Sequence, residues 1–242
     1  MKRMTPTTRS RVGLMGLVAL ALAATAVPLP VAAQIIEREA ADAKPETVQG
    51  TIGMRGTLIR STGFDPFSTS DMLPQISLSV EHPFPRQGAF GVAAGVGMDY
   101  GEANADARGT PSTFKAWRLS VVLEGRYYPR PYAYAFARVA PGMLRAAAVL
   151  NDTSSPNGNQ LADHFDLPAV DGSAGAAFRL SGPANPVAAW LCVEAGYGWA
   201  RSHHLFLAPA APERDQAKLA PVDLGTIDPR GAFMRLALAI TY

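Results

Sequence analysis

The sequence predicts an all-β chain folded as a closed, up-and-down, antiparallel β-barrel of eight strands that crosses a membrane. Three observations predict it. From Gly50 onward the residues fall into segments with a period of two, the side-chain period of a strand. Clusters of Gly, Pro, Asp, Asn and Ser separate the segments. The connections alternate between short and long, as in barrels that turn tightly on one side of a bilayer and reach out on the other.

The eight segments cover residues 51–60, 75–84, 89–101, 114–129, 132 to about 149, about 167–180, 187–201 and 231–242. The short links are 85–88, 130–131 and 181–186, and the long ones are 61–74, 102–113, 150–166 and 202–230. An even strand number puts both chain ends on the short-link side. In the second segment Ile76, Leu78 and Val80 oppose Gln75, Ser77, Ser79 and Glu81. In the fourth, Trp117, Leu119, Val121, Leu123 and Tyr127 oppose Arg118, Ser120, Glu124 and Arg126. The first, third and seventh behave alike, with Ile52, Met54 and Leu58 against Arg55 and Thr57 in the first.

The fifth segment fits this pattern least. Tyr132, Tyr134 and Phe136 share a face with Arg138, leaving Ala133, Ala135, Ala137 and Val139 for the other. Either inward glycines on the third segment make room for the rings, or a bulge at Pro141-Gly142 shifts the register.

The last segment, FMRLALAITY, places Met234, Leu236, Leu238, Ile240 and Tyr242 on one face and ends on an aromatic. This resembles the assembly signal of small bacterial outer-membrane β-barrels of the eight-stranded type, with no particular member singled out. The resemblance implies a Gram-negative cell envelope, insertion by the outer-membrane assembly machinery, and contact with outer-membrane lipid and lipopolysaccharide.

The start of the chain agrees with export. Lys2, Arg3, Arg9 and Arg11 precede an apolar run from Val12 to about Val27, broken by Pro28 and Pro30, with Val31-Ala32-Ala33 before Gln34. That is a secretory signal peptide, residues 1–33, too short for a retained span of about 20 residues. Residues 34–49 follow as a periplasmic segment, with 35–43 its one helical possibility, and 50–242 form the barrel domain.

The chain has 22 basic and 20 acidic residues; removing the four basic ones of the signal leaves 18 against 20, a net charge of −2. No basic cluster remains for nucleic acid. Cys192 is the sole cysteine, so no internal disulfide staples the fold, and a packed small side chain is its expected role.

Alternation alone also suits a soluble ligand-binding barrel. Two features favour a bilayer. The polar face is mostly Gly, Ala and Ser with sparse charge, which suits a narrow lumen. The apolar face is free of charge except near strand ends, and an Arg there at mid-membrane would cost about 2–4 kcal/mol. On this register the lumen receives Arg55, Arg118, Arg126, Arg138, Arg179 and Arg235 with Glu81, Asp99, Glu124, Asp171 and Glu194. The interior of an eight-stranded barrel is only just wide enough for its own side chains, so these groups are expected to pair and close the lumen. Phe84, Tyr127 and Tyr242 at one end, and Tyr100, Trp117 and Trp199 at the other, suit interfacial girdles.

Catalytic and metal signals are weak. Ser202, His203 and His204 lie near the outer rim, and His164 with Asp163 or Asp166 is a possible partner across it. Adjacent residues of an extended segment point to opposite faces, so Ser202 and His203 alone make no nucleophile–base pair. The histidines lack a third ligand at metal-site spacing. No catalytic, cofactor-binding or metal residue is assigned. The expected role is structural or interactive, through the outer loops, with a possible extracellular ligand. The last loop, bearing Leu205 to Leu207 near its start, is the leading contact surface. A lipid-modifying barrel enzyme and a narrow pore for small solutes are the alternatives.

Overall fold

The computed structural model describes residues 47–107, 109–152, 159–182, 187–209 and 221–242. The expected signal peptide, most of the 34–49 segment with its helical possibility, and residues 210–220 of the last loop lie outside them.

Among the described residues ten strands form in chain order: β1 (Gln49–Leu58), β2 (Met72–Pro83), β3 (Phe90–Ala107), β4 (Thr110–Arg130), β5 (Ala133–Asp152), β6 (Asn159–Arg179), β7 (Ala188–Ala200), β8 (His203–Pro209), β9 (Val222–Ile227) and β10 (Gly231–Thr241). Eight of them make a closed antiparallel barrel, β1 to β7 in sequence and then β10. Closure is the ladder between first and last, running from Gln49 opposite Thr241 to Thr57 opposite Phe233. Pairing every strand on both sides leaves no open edge through the ring, the condition for backbone to cross hydrocarbon.

The wall is uneven in height. β3, β4, β5 and β6 have 18, 21, 20 and 21 residues, whereas β1, β2, β7 and β10 have 10, 12, 13 and 11. The four long strands adjoin and stand above their neighbours as a tall half-wall. The hairpin β8–β9 folds against this half-wall, with β8 paired to β6 at Leu161 opposite Pro209 and Ala162 opposite Ala208.

Two expectations about the links need correction, and the structure resolves the register of the fifth segment. The long links 102–113 and 150–166 are mostly strand: β3 reaches Ala107 and β4 restarts at Thr110, and β5 reaches Asp152 before β6 begins at Asn159. Link 202–230 holds the β8–β9 hairpin, and 61–74 holds a short 3-10 turn at Asp65–Phe67. The fifth segment has no bulge at Pro141-Gly142, since β5 keeps one register against β6 along its whole length. Room for its rings comes from Gly175 on β6, where a Cβ would collide with the Phe136 ring and the Val193 carbonyl. The one register shift against β4 lies at the tight turn, between Tyr127 and Arg130, and Tyr132 sits exposed in that turn instead of inside.

The outward face is a continuous apolar band. Ile52, Met54, Ile76, Leu78, Val80, Val92, Val96, Leu119, Val121, Leu123, Val139, Val193 and the terminal set Met234, Leu236, Leu238, Ile240 and Tyr242 all project from it. On β4 the band runs from Trp117 to Tyr127, a height of about 25 Å at the usual rise and tilt of barrel strands. Above Trp117 the outward residues turn polar, with Glu102, Asn104, Thr113, Lys115, Arg145 and His164.

Candidate functional site

Within the apolar band the lumen is filled by ions. Five arginines, Arg55, Arg118, Arg126, Arg138 and Arg235, meet five carboxylates, Glu81, Asp99, Glu124, Asp171 and Glu194, and all ten are at least nearly buried. Arg55 Nη1 donates to Asp99 Oδ2 at 2.8 Å and to Asp171, which Arg118 also contacts. Arg235 donates to Asp99 at 3.2 Å and to Glu194 at 3.1 Å. Nearer the chain ends, Arg138 donates to Glu81 at 2.9 Å and Glu124 at 2.6 Å, and Arg126 to the same two carboxylates at 3.0 and 2.6 Å. Arg138 Nη1 lies 3.6 Å from Glu194 and joins the two groups into one network.

Hydroxyls complete the carboxylates: Ser77 donates to Asp99, Ser79 to Glu81 and Ser173 to Glu194. Gly198 makes space for this packing, because a Cβ there would stand 2.8 Å from Asp171 Oδ1 and 3.2 Å from Arg55 Nη2. Arg179 is set apart, half-buried at the end near the chain termini with Nε donating to Ser181. The charges balance, and each buried ion has a partner, which low-dielectric burial demands. A cavity of about 20 Å³ lies among these groups, bordered by Thr51, Ser77, Ser120, Arg138 and Arg235, enough for one water.

Apolar layers seal the network at both ends. Toward the termini Tyr128, Tyr134, Phe136, Trp190 and Cys192 form a floor, with Tyr134 5.0 Å from both Tyr128 and Trp190. Toward the tall wall a larger core fills the barrel mouth. Phe64 and Phe67, carried by the 3-10 turn, insert against Phe114, and Leu205, Leu207 and Ile227 of the hairpin cover them. All six of these side chains are fully buried. Leu205 and Leu207 are thus part of a cap and not an outside contact surface; Phe206 between them is the one that projects.

The rim histidines have carboxylate partners. His203 Nε2 lies 3.0 Å from Asp163 Oδ2 and its ring stacks 4.1 Å from Phe165, while the same Asp163 accepts the Phe206 backbone N–H. His204 Nε2 lies 3.1 Å from Asp223, whose carboxyl is held below its ordinary range by the Gly225 backbone N–H and then by His204. Asp166 pairs with Arg145 instead of His164, at 2.9 Å. Among the described residues no serine hydroxyl hydrogen-bonds either His203 or His204, and no group of three metal-ligating side chains occurs. The sequence names Asp163 as a possible rim partner but does not single out its pairing with His203, because both lie in stretches that read as loops and are brought together only by β6 and β8.

No family model matches the chain, and no curated protein matches it. Among solved structures, the attachment invasion locus protein Ail of Yersinia pestis aligns at 10% identity and TM-score 0.41, over 82% of this chain and 99% of that one. Neisserial surface protein A aligns at 9% and 0.43, over 81% and 96%. The outer membrane protease OmpT from Escherichia coli aligns at 8% and 0.47, over 82% and 98%.

Proposed function

We propose that the chain is an integral outer-membrane β-barrel with a closed lumen, both chain ends in the periplasm, and a structural or surface-interaction role carried by the capped tall half-wall and the loops at its top. The observation that supports this most is the inversion across the wall. A band about 25 Å high of large exposed apolar residues encircles a buried, neutral set of ten ionised side chains. Exposed in water, such a band would be an aggregation surface far larger than a soluble monomer tolerates. Facing acyl chains, it is matched to its solvent.

The closed lumen weighs against a pore, since the ionic network is sealed by the aromatic floor and the apolar cap. The assignment of the side of the membrane is supported by the expected signal peptide and by the short turns at the end where Tyr242 pairs with Val48. Fractionation tests the reading directly. The protein is expected in outer-membrane fractions as a compact band that resists detergent until boiled, with no sizeable single-channel conductance in a planar bilayer. Recovery in the soluble periplasm would refute the membrane assignment, and steady large conductance would refute the closed lumen.

A further inference from the structure

The charges just above the apolar band differ between the two halves of the wall. On the tall half they are matched: Lys115 lies 3.6 Å from Glu102, and Arg145 holds Asp166 through two hydrogen bonds of 2.9 and 3.1 Å. On the short half three arginines stand at the outer ends of three adjoining strands, Arg60 after β1, Arg230 before β10 and Arg201 after β7. All three are exposed. Continuing the β1–β10 register beyond Thr57 opposite Phe233 sets Arg60 beside Arg230. The parity of each strand directs them to the lipid-facing side, above Met54, Met234, Tyr197 and Trp199.

Arg230 pairs with Asp228, but among the described residues Arg60 and Arg201 have no carboxylate within ion-pair distance, Asp71 at the start of the neighbouring strand included. Like charges placed side by side on neighbouring strands repel. The same strand pair shows how this chain resolves that problem inside the lumen. There Arg55 lies opposite Arg235, and Asp99 bridges them at 2.8 and 3.2 Å. Among the described residues the outer pair lacks such a bridge, and on the membrane reading it sits at the height where an outer leaflet presents its phosphates.

We infer that Arg60, Arg201 and Arg230 form a binding site for the phosphate groups of outer-leaflet glycolipid, the anion taking outside the barrel the place that Asp99 takes within it. This rests on the membrane reading above and adds a lipid class and a location to it. Arginine suits the task because its fork presents paired donors to a phosphate. The site faces one side of the barrel only, so the bound lipid marks the short wall.

The test uses the full-length barrel folded into phosphatidylcholine nanodiscs, titrated with phosphorylated lipid A and, separately, with lipid A stripped of its phosphates. The wild type is expected to bind the phosphorylated form on the order of tenfold more tightly, as two uncompensated arginines near a charged surface suggest. The triple variant Arg60→Gln/Arg201→Gln/Arg230→Gln is expected to lose that preference, and the triple Arg→Lys variant to keep most of it. Should the triple variant fold poorly, the single variants Arg60→Gln and Arg201→Gln, both beyond the ladders, serve in its place, with a several-fold loss expected from each. A wild type without preference, or a folded variant that keeps it, overturns the site while leaving the membrane reading intact. Failure of the wild type to insert into any bilayer removes the membrane reading itself.

Discussion

Strand β4 passes through two regions packed in opposite senses. From Trp117 to Tyr127 its outward residues are Leu119, Val121 and Leu123, and its inward ones Arg118, Glu124 and Arg126. A few residues earlier the outward side bears Thr113 and Lys115, and the inward side Phe114 and Ala116. The strand does not bulge at the crossover, for its register against β3 is constant from Thr110 to Tyr127. On the membrane reading proposed above, what changes is the surrounding medium: along the apolar band the barrel stores its charges inside, and above the band it stores its hydrocarbon inside. Each region is a filled core, but the lower one is cemented by directed ion pairs and the upper one by undirected packing.

Breaking the lower core should cost most. Arg138→Leu leaves Glu81 and Glu124 buried with one cation between them and should destabilise the barrel by about 3–5 kcal/mol, read from urea unfolding in vesicles. Replacing Arg138 and Glu124 together with leucines should recover much of that loss. Phe114→Ala removes the ring against which Phe64 and Phe67 pack and should cost about 3–5 kcal/mol locally. Its signature differs: hydrogen exchange should quicken in β8, β9 and the 3-10 turn while the detergent-resistant band persists.

The boundary between regions can be located by one substitution at two heights. Leu119→Arg, in the apolar band, should cost about 2–4 kcal/mol, whereas Thr113→Arg, on the same face of the same strand, should be close to neutral. Equal effects would remove the distinction between the two media. The smallest expected effect concerns Asp223. Its carboxyl is held below the ordinary range by the Gly225 N–H and His204. A depressed folded value means its contribution to the hairpin is complete above the ordinary Asp value and fades as pH falls through the folded one. NMR titration of Asp223 should show a midpoint below that of an unstructured Asp, and Asp223→Asn, which removes the carboxylate that accepts from Gly225 N–H, should abolish the share of the hairpin's pH response that this group carries.

Most of the barrel was legible because its wall follows a strict pattern. A strand with greasy residues at every second position has one arrangement that satisfies both faces, and the eight segments, together with the inward direction of Arg55, Arg118 and Glu194, followed from it. Above the apolar band that pattern loosens. Residues 102–107 read Glu-Ala-Asn-Ala-Asp-Ala, a period of two in which the inward residue is alanine. Sought as apolar against polar, it passes for loop; sought as small against polar, it is the top of β3. The β8–β9 hairpin was hidden for another reason. Its buried residues, Leu205, Leu207 and Ile227, gain their core only from Phe64, Phe67 and Phe114, far away in the chain.

Height carries one more consequence. Pro74 has no N–H to offer, and the β2–β3 ladder stops at Gln75 opposite Gly101. Among the described residues the upper flank of β3 therefore rises without a hydrogen-bonded strand on that side, and the 3-10 turn packing near it leaves the outer margin as a seam for a stray extended segment. Glu102, Asn104 and Asp106 line that seam. Two copies meeting along this margin would press acid against acid, and the seam stays unzipped.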